Sequence, residues 1–152
     1  MKNAQAITQW FNDELEKITT DGNIGPVTVL HNYSDKPVKI SEQNNVLIIE
    51  TTQDTPESKA AGIMNPNAKL SREIYLQGLT EIDAGLRPSD VLDAFVFEVR
   101  ASLYPASKQL LTNAKIQTIL ETECRYILPE KGTKAAKFLM RFNITYLENY
   151  RR

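Results

Sequence analysis

The first twenty residues place apolar side chains at the spacing of an amphipathic helix. The apolar positions fall on one face of such a helix: Ile7, Trp10, Phe11, Leu15 and Ile18. Gly22 lies just beyond the last of them, as is common after a helix ends. We therefore predict a helix over residues 3–19 whose apolar stripe, with the only tryptophan of the chain, belongs to the core.

Strand patterns follow. Residues 27–31 and 46–52 are rich in β-branched side chains and predict two strands. Residues 36–40 predict a short edge strand at most, because Pro37 has no N–H to donate to an interior ladder. Residues 70–83 alternate apolar and polar positions and predict another strand, in which Gly78 marks either a bulge or a close backbone approach.

Two further segments predict a long loop and a second helix. Residues 53–69 show neither the helical nor the strand period of apolar positions and predict a long flexible loop. Such a loop is uncommon in compact domains and often functional. Residues 88–104 predict a second helix, with Pro88 and Asp90 in its first turn. Its apolar stripe follows the helical spacing: Leu92, Phe95, Val96, Val99 and Leu103. Pro105 either ends this helix or opens a short further one through Leu111.

The last third predicts a β-hairpin around the turn at 129–133. Even-numbered residues of 118–128 and 136–146 are mostly apolar, so they share one buried face. Pairing Tyr126 with Phe138 gives the register: Cys124 opposite Met140, Leu120 opposite Ile144, and Glu123 opposite Arg141 on the other face. The same parity predicts one polar face shared by Glu121, Glu123, Arg125, Lys137 and Arg141.

These elements together predict an α/β fold of the α+β kind. We expect a single domain over residues 1–152, with a mixed, mostly antiparallel sheet of four to five strands packed with the two helices. A chain of 152 residues can bury roughly 68–70% of its unfolded surface, so it needs no disulfides to be stable.

Charge is balanced overall and uneven along the chain. The net charge is −1 and the pI is near 5.9, so we expect no direct nucleic-acid binding. Residues 125–152 hold seven basic and two acidic side chains, for a charge of +5, which leaves −6 on the rest. Such asymmetry suits a head-to-tail contact between identical subunits, although scattered solvated charges would give the same count.

Residues with catalytic or metal-binding chemistry are sparse. His31 is the only histidine and Cys124 the only cysteine, so we expect no zinc or haem site, no disulfide and no cofactor. No glycine-rich phosphate loop occurs, and we expect no enzyme activity. The alternative is a small-molecule-binding or enzymatic domain that uses Glu121 and Glu123 in a cleft. Neither a secretion signal nor an apolar run of about 20 residues is evident, so we expect a cytoplasmic protein without a membrane span.

Four runs carry a resemblance to a known family: REIYLQGLTEID at 72–83, LDAFVFEV at 92–99, ILETEC at 119–124, and residues 136–146. In this order they resemble the tail terminator, or tail completion, proteins of bacteriophages, the family of the minor tail protein U of lambda-like phages. In that family an N-terminal helix precedes a sheet, a long loop interrupts the strands, and a Leu-Asp-Ala helix leads to a closing hairpin. Another phage or secretion-system connector shares the same assembly logic.

The resemblance implies a structural protein of a phage or prophage virion. It implies a homo-oligomeric ring, hexameric in this family, that caps the tail tube, ends its polymerisation and presents a surface to the head connector protein. The chain would then reside in the virion tail, after assembly in the host cytoplasm. We assign the subunit or tube interface to the charged residues of the polar face and of the predicted loop: Glu121, Glu123, Arg125, Lys137, Arg141, Lys59 and Lys69.

Overall fold

The computed structural model describes residues 2–31, 45–57, 66–112 and 115–151. Its helices are α1 (Asn3–Glu16), α2 (Ile18–Asp21) and α3 (Pro88–Leu111). Its strands are β1 (Val27–His31), β2 (Asn45–Pro56), β3 (Asn67–Glu81), β4 (Ile116–Ile127) and β5 (Ala135–Asn149). They form one sheet in the order β1-β2-β3-β5-β4, parallel between β1 and β2 and antiparallel elsewhere. The predicted α+β class with a mixed, mostly antiparallel sheet is confirmed.

The helices cover one face of this sheet and enclose the main core. Every even-numbered residue of β5 from Ala136 to Tyr146 is buried there, as the parity of the sequence predicts. Phe142 packs edge-to-face on Phe11 of α1, with ring centroids 5.2 Å apart, and Phe138 packs on Phe95 of α3 at 4.9 Å. These aromatic pairs join both long helices to the central part of the sheet.

The other face of the sheet divides into two regions. Near β1 and β2 it holds a second buried apolar cluster: Val46, Ile48, Leu79 and the partly buried Leu30. Towards β5 and β4 it carries charged and polar side chains. We call this region the polar face and define it by Glu73 and Tyr75 of β3, Lys137 and Arg141 of β5, and Glu123 and Arg125 of β4.

The helix boundaries differ from the prediction in two places. The predicted helix over 3–19 is divided at Lys17, so that α1 ends at Glu16 and α2 supplies one further turn. The predicted helix over 88–104 continues through Pro105 to Leu111. The side chain of Pro105 is exposed, whereas Leu110 is buried in the core beyond it. Burial of this last turn offsets the loss of one backbone hydrogen bond at the proline.

The predicted loop over 53–69 is wrong at both ends. Strand β2 continues to Pro56 and β3 begins at Asn67, in a register that runs from Gln53 opposite Glu73 to Pro56 opposite Leu70. Residues 51–57 are exposed, and the register shifts between Thr51 and Gln53. This part of the strand therefore has no buried face and no unbroken alternation of apolar and polar residues from which it could be predicted. Residues 58–65, with Lys59, and the edge strand predicted over 36–40 lie outside the described residues.

Candidate functional site

The register of the β4–β5 hairpin confirms most of the predicted pairs. Tyr126 lies opposite Phe138, Cys124 opposite Met140, and Glu123 opposite Arg141. Leu120, however, lies opposite Asn143 rather than Ile144, because the register shifts between Glu121 and Glu123. Thr122 is the extra residue of this bulge, and the parity of β4 changes at that point.

The bulge sends Glu121 and Glu123 to opposite faces of the sheet, so their predicted shared face is wrong. Glu121 lies opposite Phe142 on the helix-covered face. Its carboxylate accepts hydrogen bonds from Nε and Nη2 of Arg100, at 3.0 and 2.7 Å, and from the hydroxyl of Tyr104 at 2.6 Å. Both donors come from α3, so Glu121 fixes this helix to β4.

The electrostatics of Glu121 agree with a structural role. Burial would raise the pKa of this carboxyl, but the hydrogen bonds from Arg100 and Tyr104 outweigh burial and lower it. The hydrogen bond to Glu121 in turn raises the pKa of the Arg100 guanidinium. Glu121 is thus an ionised, paired carboxylate, without the raised pKa of a carboxylic general acid at neutral pH.

Arg141 occupies the centre of the polar face. Its guanidinium lies 4.8 Å from the ring centroid of Tyr75, 3.5 Å from Glu123 and 3.9 Å from Glu73. The Nε atom is buried and finds no hydrogen-bond partner among the described residues. Stacking on Tyr75 and two flanking carboxylates hold the charge in a fixed position on the polar face.

Four of the predicted interface residues share this surface: Glu123, Arg125, Lys137 and Arg141. Glu121 does not, and Lys69 lies at the far end of the sheet. Lys69 pairs with Leu147 in the ladder and forms an ion pair of 3.5 Å with Glu57. Six residues along β5 separate Leu147 from Arg141, which is about 20 Å of strand. The predicted set therefore divides between the polar face and the β2–β3 arm, which we define as residues 51–57 and 67–71.

Sequence reasoning missed a polar cluster where this arm meets α1. Arg72 donates two hydrogen bonds to Asp54, at 2.9 and 2.7 Å, and one to the carbonyl of Ala4 at 2.9 Å. The hydroxyl of Tyr146 donates to Asp54 at 3.2 Å. The carboxylate of Glu148 accepts the N–H of Ala4 at 3.1 Å and so caps α1. The signal was present, since Arg72 and Tyr146 occupy inward positions of β3 and β5.

The charges of this cluster are strongly coupled. The hydrogen bond from Arg72 holds the pKa of Asp54 below its ordinary value. Burial, with the nearby negative charge of Asp54, raises the pKa of Tyr146 to about 12. Asp54 is therefore an ionised acceptor and Tyr146 a neutral donor at neutral pH, which is the arrangement that ties the arm to α1.

A cleft with a volume of about 610 Å³ lies at the start of α3. Its charged side chains, Glu81, Asp83, Arg87 and Asp90, are exposed. The buried Asn45 and Thr80 behind them are joined by a hydrogen bond of 2.7 Å. Across the described ranges, no three His, Cys, Asp or Glu side chains are grouped to hold a metal ion. The helices in that part of the chain are too short or too polar to cross a bilayer.

Comparison with known proteins adds no assignment. No protein-family model matches the chain, and no curated protein matches it.

Proposed function

We propose that the chain is a structural virion protein, a phage tail terminator that forms a ring on the end of the tail tube. The observation that carries the proposal is a sheet with helices on one face and the charged polar face over β3, β5 and β4 on the other, in the element order that resembles the terminator family. Its charged side chains are Glu73, Glu123, Arg125, Lys137 and Arg141. No bond is made or broken in this role.

Opposite charges on two sides of one subunit support ring closure. Residues 3–21 carry three exposed acids, Asp13, Glu16 and Asp21, while the one base, Lys17, pairs with the buried Glu14. The hairpin carries Arg125, Lys131, Lys134 and Lys137 against Glu123 and Glu130 within residues 123–137. A ring needs two different patches that meet head to tail, and complementary charge favours one orientation of that contact.

The remaining interface residue, Lys69, extends the proposal to the tube. The arm lies about 20 Å of strand from Arg141 and so forms a separate part of the subunit surface. We assign the polar face to the neighbouring subunit and the exposed arm, with Lys69, to the tail tube or head connector.

The alternative of a small-molecule or enzymatic site depended on Glu121 and Glu123 acting in one cleft. The bulge at Thr122 turns these carboxylates to opposite faces of the sheet, and Glu121 is occupied by Arg100 and Tyr104. This geometry gives the alternative no specific support, so the assembly role is the proposal.

Growth of tail tubes tests it. The tail tube protein of the same phage is polymerised with and without this chain, and tube lengths are measured by electron microscopy. The proposal expects growth to stop when the chain is added and not when an unrelated protein of the same charge is added. Unchanged tube lengths at saturating amounts of the chain would overturn it.

A further inference from the structure

Apolar side chains concentrate along the outer edge of β4. This strand ends the sheet and pairs only with β5 among the described residues, so its outer N–H and C=O groups are open to another strand. Eight large apolar side chains of the described chain are exposed, and five border this edge: Phe97, Tyr104, Leu120, Ile127 and Leu128. Such concentration marks an interaction surface rather than scattered exposure.

Helix α3 places Phe97 at the middle of this edge. Asp93 accepts a hydrogen bond from the hydroxyl of Tyr126 at 2.6 Å, and Arg100 pairs with Glu121. Phe97 lies between Asp93 and Arg100 on the same face of the helix, since residues three and four apart are neighbours there. Its side chain is 66% exposed and, along the helix axis, lies between the contacts of α3 with Tyr126 and with Glu121.

The order of charges along β4 is self-complementary. Two antiparallel copies of β4, related by a two-fold axis at Cys124, place Glu123 of each copy opposite Arg125 of the other. Centring the pair on Glu123 or on Arg125 instead sets like charges against each other, which is destabilising. Placing the two-fold axis between two residues would set side chains from opposite faces of the sheet against each other. Of the axes at Glu123, Cys124 and Arg125, only the one at Cys124 pairs opposite charges and keeps paired side chains on the same face of the sheet.

The apolar side chains of β4 also pair with one another when the two-fold axis lies at Cys124. Beyond the bulge at Thr122 the register moves by one residue, so Leu120 of one copy comes opposite Ile127 of the other on the same face of the sheet. Phe97 lies along α3 between the contacts to Tyr126 and Glu121, so the Phe97 side chains of the two copies come near the axis. An isologous contact requires such a self-complementary patch, with an apolar centre and matched charges.

We propose that the free protein forms a two-fold dimer with a second copy of this chain, through antiparallel pairing of the two β4 edges and packing of Phe97 on Phe97. The two sheets then become one sheet of ten strands. This contact goes beyond the ring proposal and does not rest on it. It occupies Glu123 and Arg125, so the dimer is the form of the free subunit and separates before the polar face enters a ring.

Light scattering coupled to size exclusion, over a wide range of concentration, tests the dimer. We expect a mass of two subunits for the wild type and one for Arg125→Glu, which sets Glu123 against a new carboxylate. Arg125→Lys should keep two subunits, because it retains the positive charge opposite Glu123 of the other copy. Phe97→Asp should also give one subunit, whereas Lys131→Glu, a matched charge change in the turn, should leave two.

Circular dichroism of each variant establishes that it is folded, so that loss of the dimer is not loss of the fold. A wild-type mass of one subunit, or of six, at every concentration would overturn the inference. So would a dimer that persists in Arg125→Glu and Phe97→Asp. These outcomes leave the tube-growth experiment unaffected, because it scores capping of tubes and not the mass of the free protein.

Discussion

The ring of Phe138 lies directly over Gly78 on the neighbouring strand. The two residues are ladder partners of β5 and β3, and a methyl group built on Gly78 would overlap the ring carbons of Phe138. The register is continuous through Gly78 towards Leu47 as well. Of the two sequence-based interpretations, a bulge or a close approach, the close approach is therefore confirmed.

Gly78→Ala should destabilise the fold by about 3 kcal/mol, as overpacking of a rigid site does. Phe138 is fully buried against Phe95, so the ring cannot move aside. Denaturant unfolding measures the loss. Repeating it in a Phe138→Leu background provides the control, since the smaller side chain makes room and the cost of Gly78→Ala should shrink. An equal cost in both backgrounds would contradict this contact.

Phe142→Ala should cost about 3–5 kcal/mol of unfolding free energy. The ring is 2% exposed and packs on Phe11, so truncation leaves a cavity between β5 and α1. Thr145→Ala, on the opposite face of β5, should change stability by less than about 0.5 kcal/mol. An unchanged unfolding midpoint for Phe142→Ala would reject the assignment of the core face.

The Asp54 carboxylate makes stability depend on pH in a defined direction. Its pKa is lowered from an ordinary value of 3.8 by the hydrogen bond from Arg72. Its contribution to the free energy of unfolding is therefore present above pH 3.8 and is lost as the pH falls through the lower pKa of the folded state. Asp54→Asn should therefore be less stable than wild type near neutral pH, and the difference should be smaller at an acidic pH below 3.8. Asp83→Asn, an exposed acid outside the cluster, is the control. A stability difference that is the same at both pH values would contradict the account.

The parts of the fold that the sequence predicted well are those with one buried face. Parity alone placed the even residues of β5 in the core, because a half-buried strand must alternate. The bulge at Thr122 escaped this reasoning, since Glu121 is satisfied inside by Arg100 and Tyr104 and these partners are distant in sequence. Residues 53–57 of the arm escaped it because exposure on both faces leaves no pattern. Contacts with residues distant in sequence, rather than local sequence preference, determine both the bulge and the arm.

Charge reversal on the polar face should weaken ring formation on the tube. Lys137→Glu is the sharper variant, because Arg141 is engaged with Tyr75, Glu73 and Glu123 and its replacement would disturb the face itself. Lys108→Glu makes the same charge change at an exposed position near the end of α3, outside the hairpin and the polar face, and serves as control. We expect Lys137→Glu to lose most tube capping, measured as tube length, and wild-type capping to weaken as salt screens the contact. Equal capping by the two variants would speak against the polar face as a subunit interface.

The proposed ring is tested most directly by cryo-electron microscopy of tail tubes incubated with this chain. The account predicts extra density at one end of each tube, resolving into a closed ring of six subunits whose sheets fit the fold described above. Bare tube ends, or copies of the chain scattered along the tube wall without a closed ring, would contradict it.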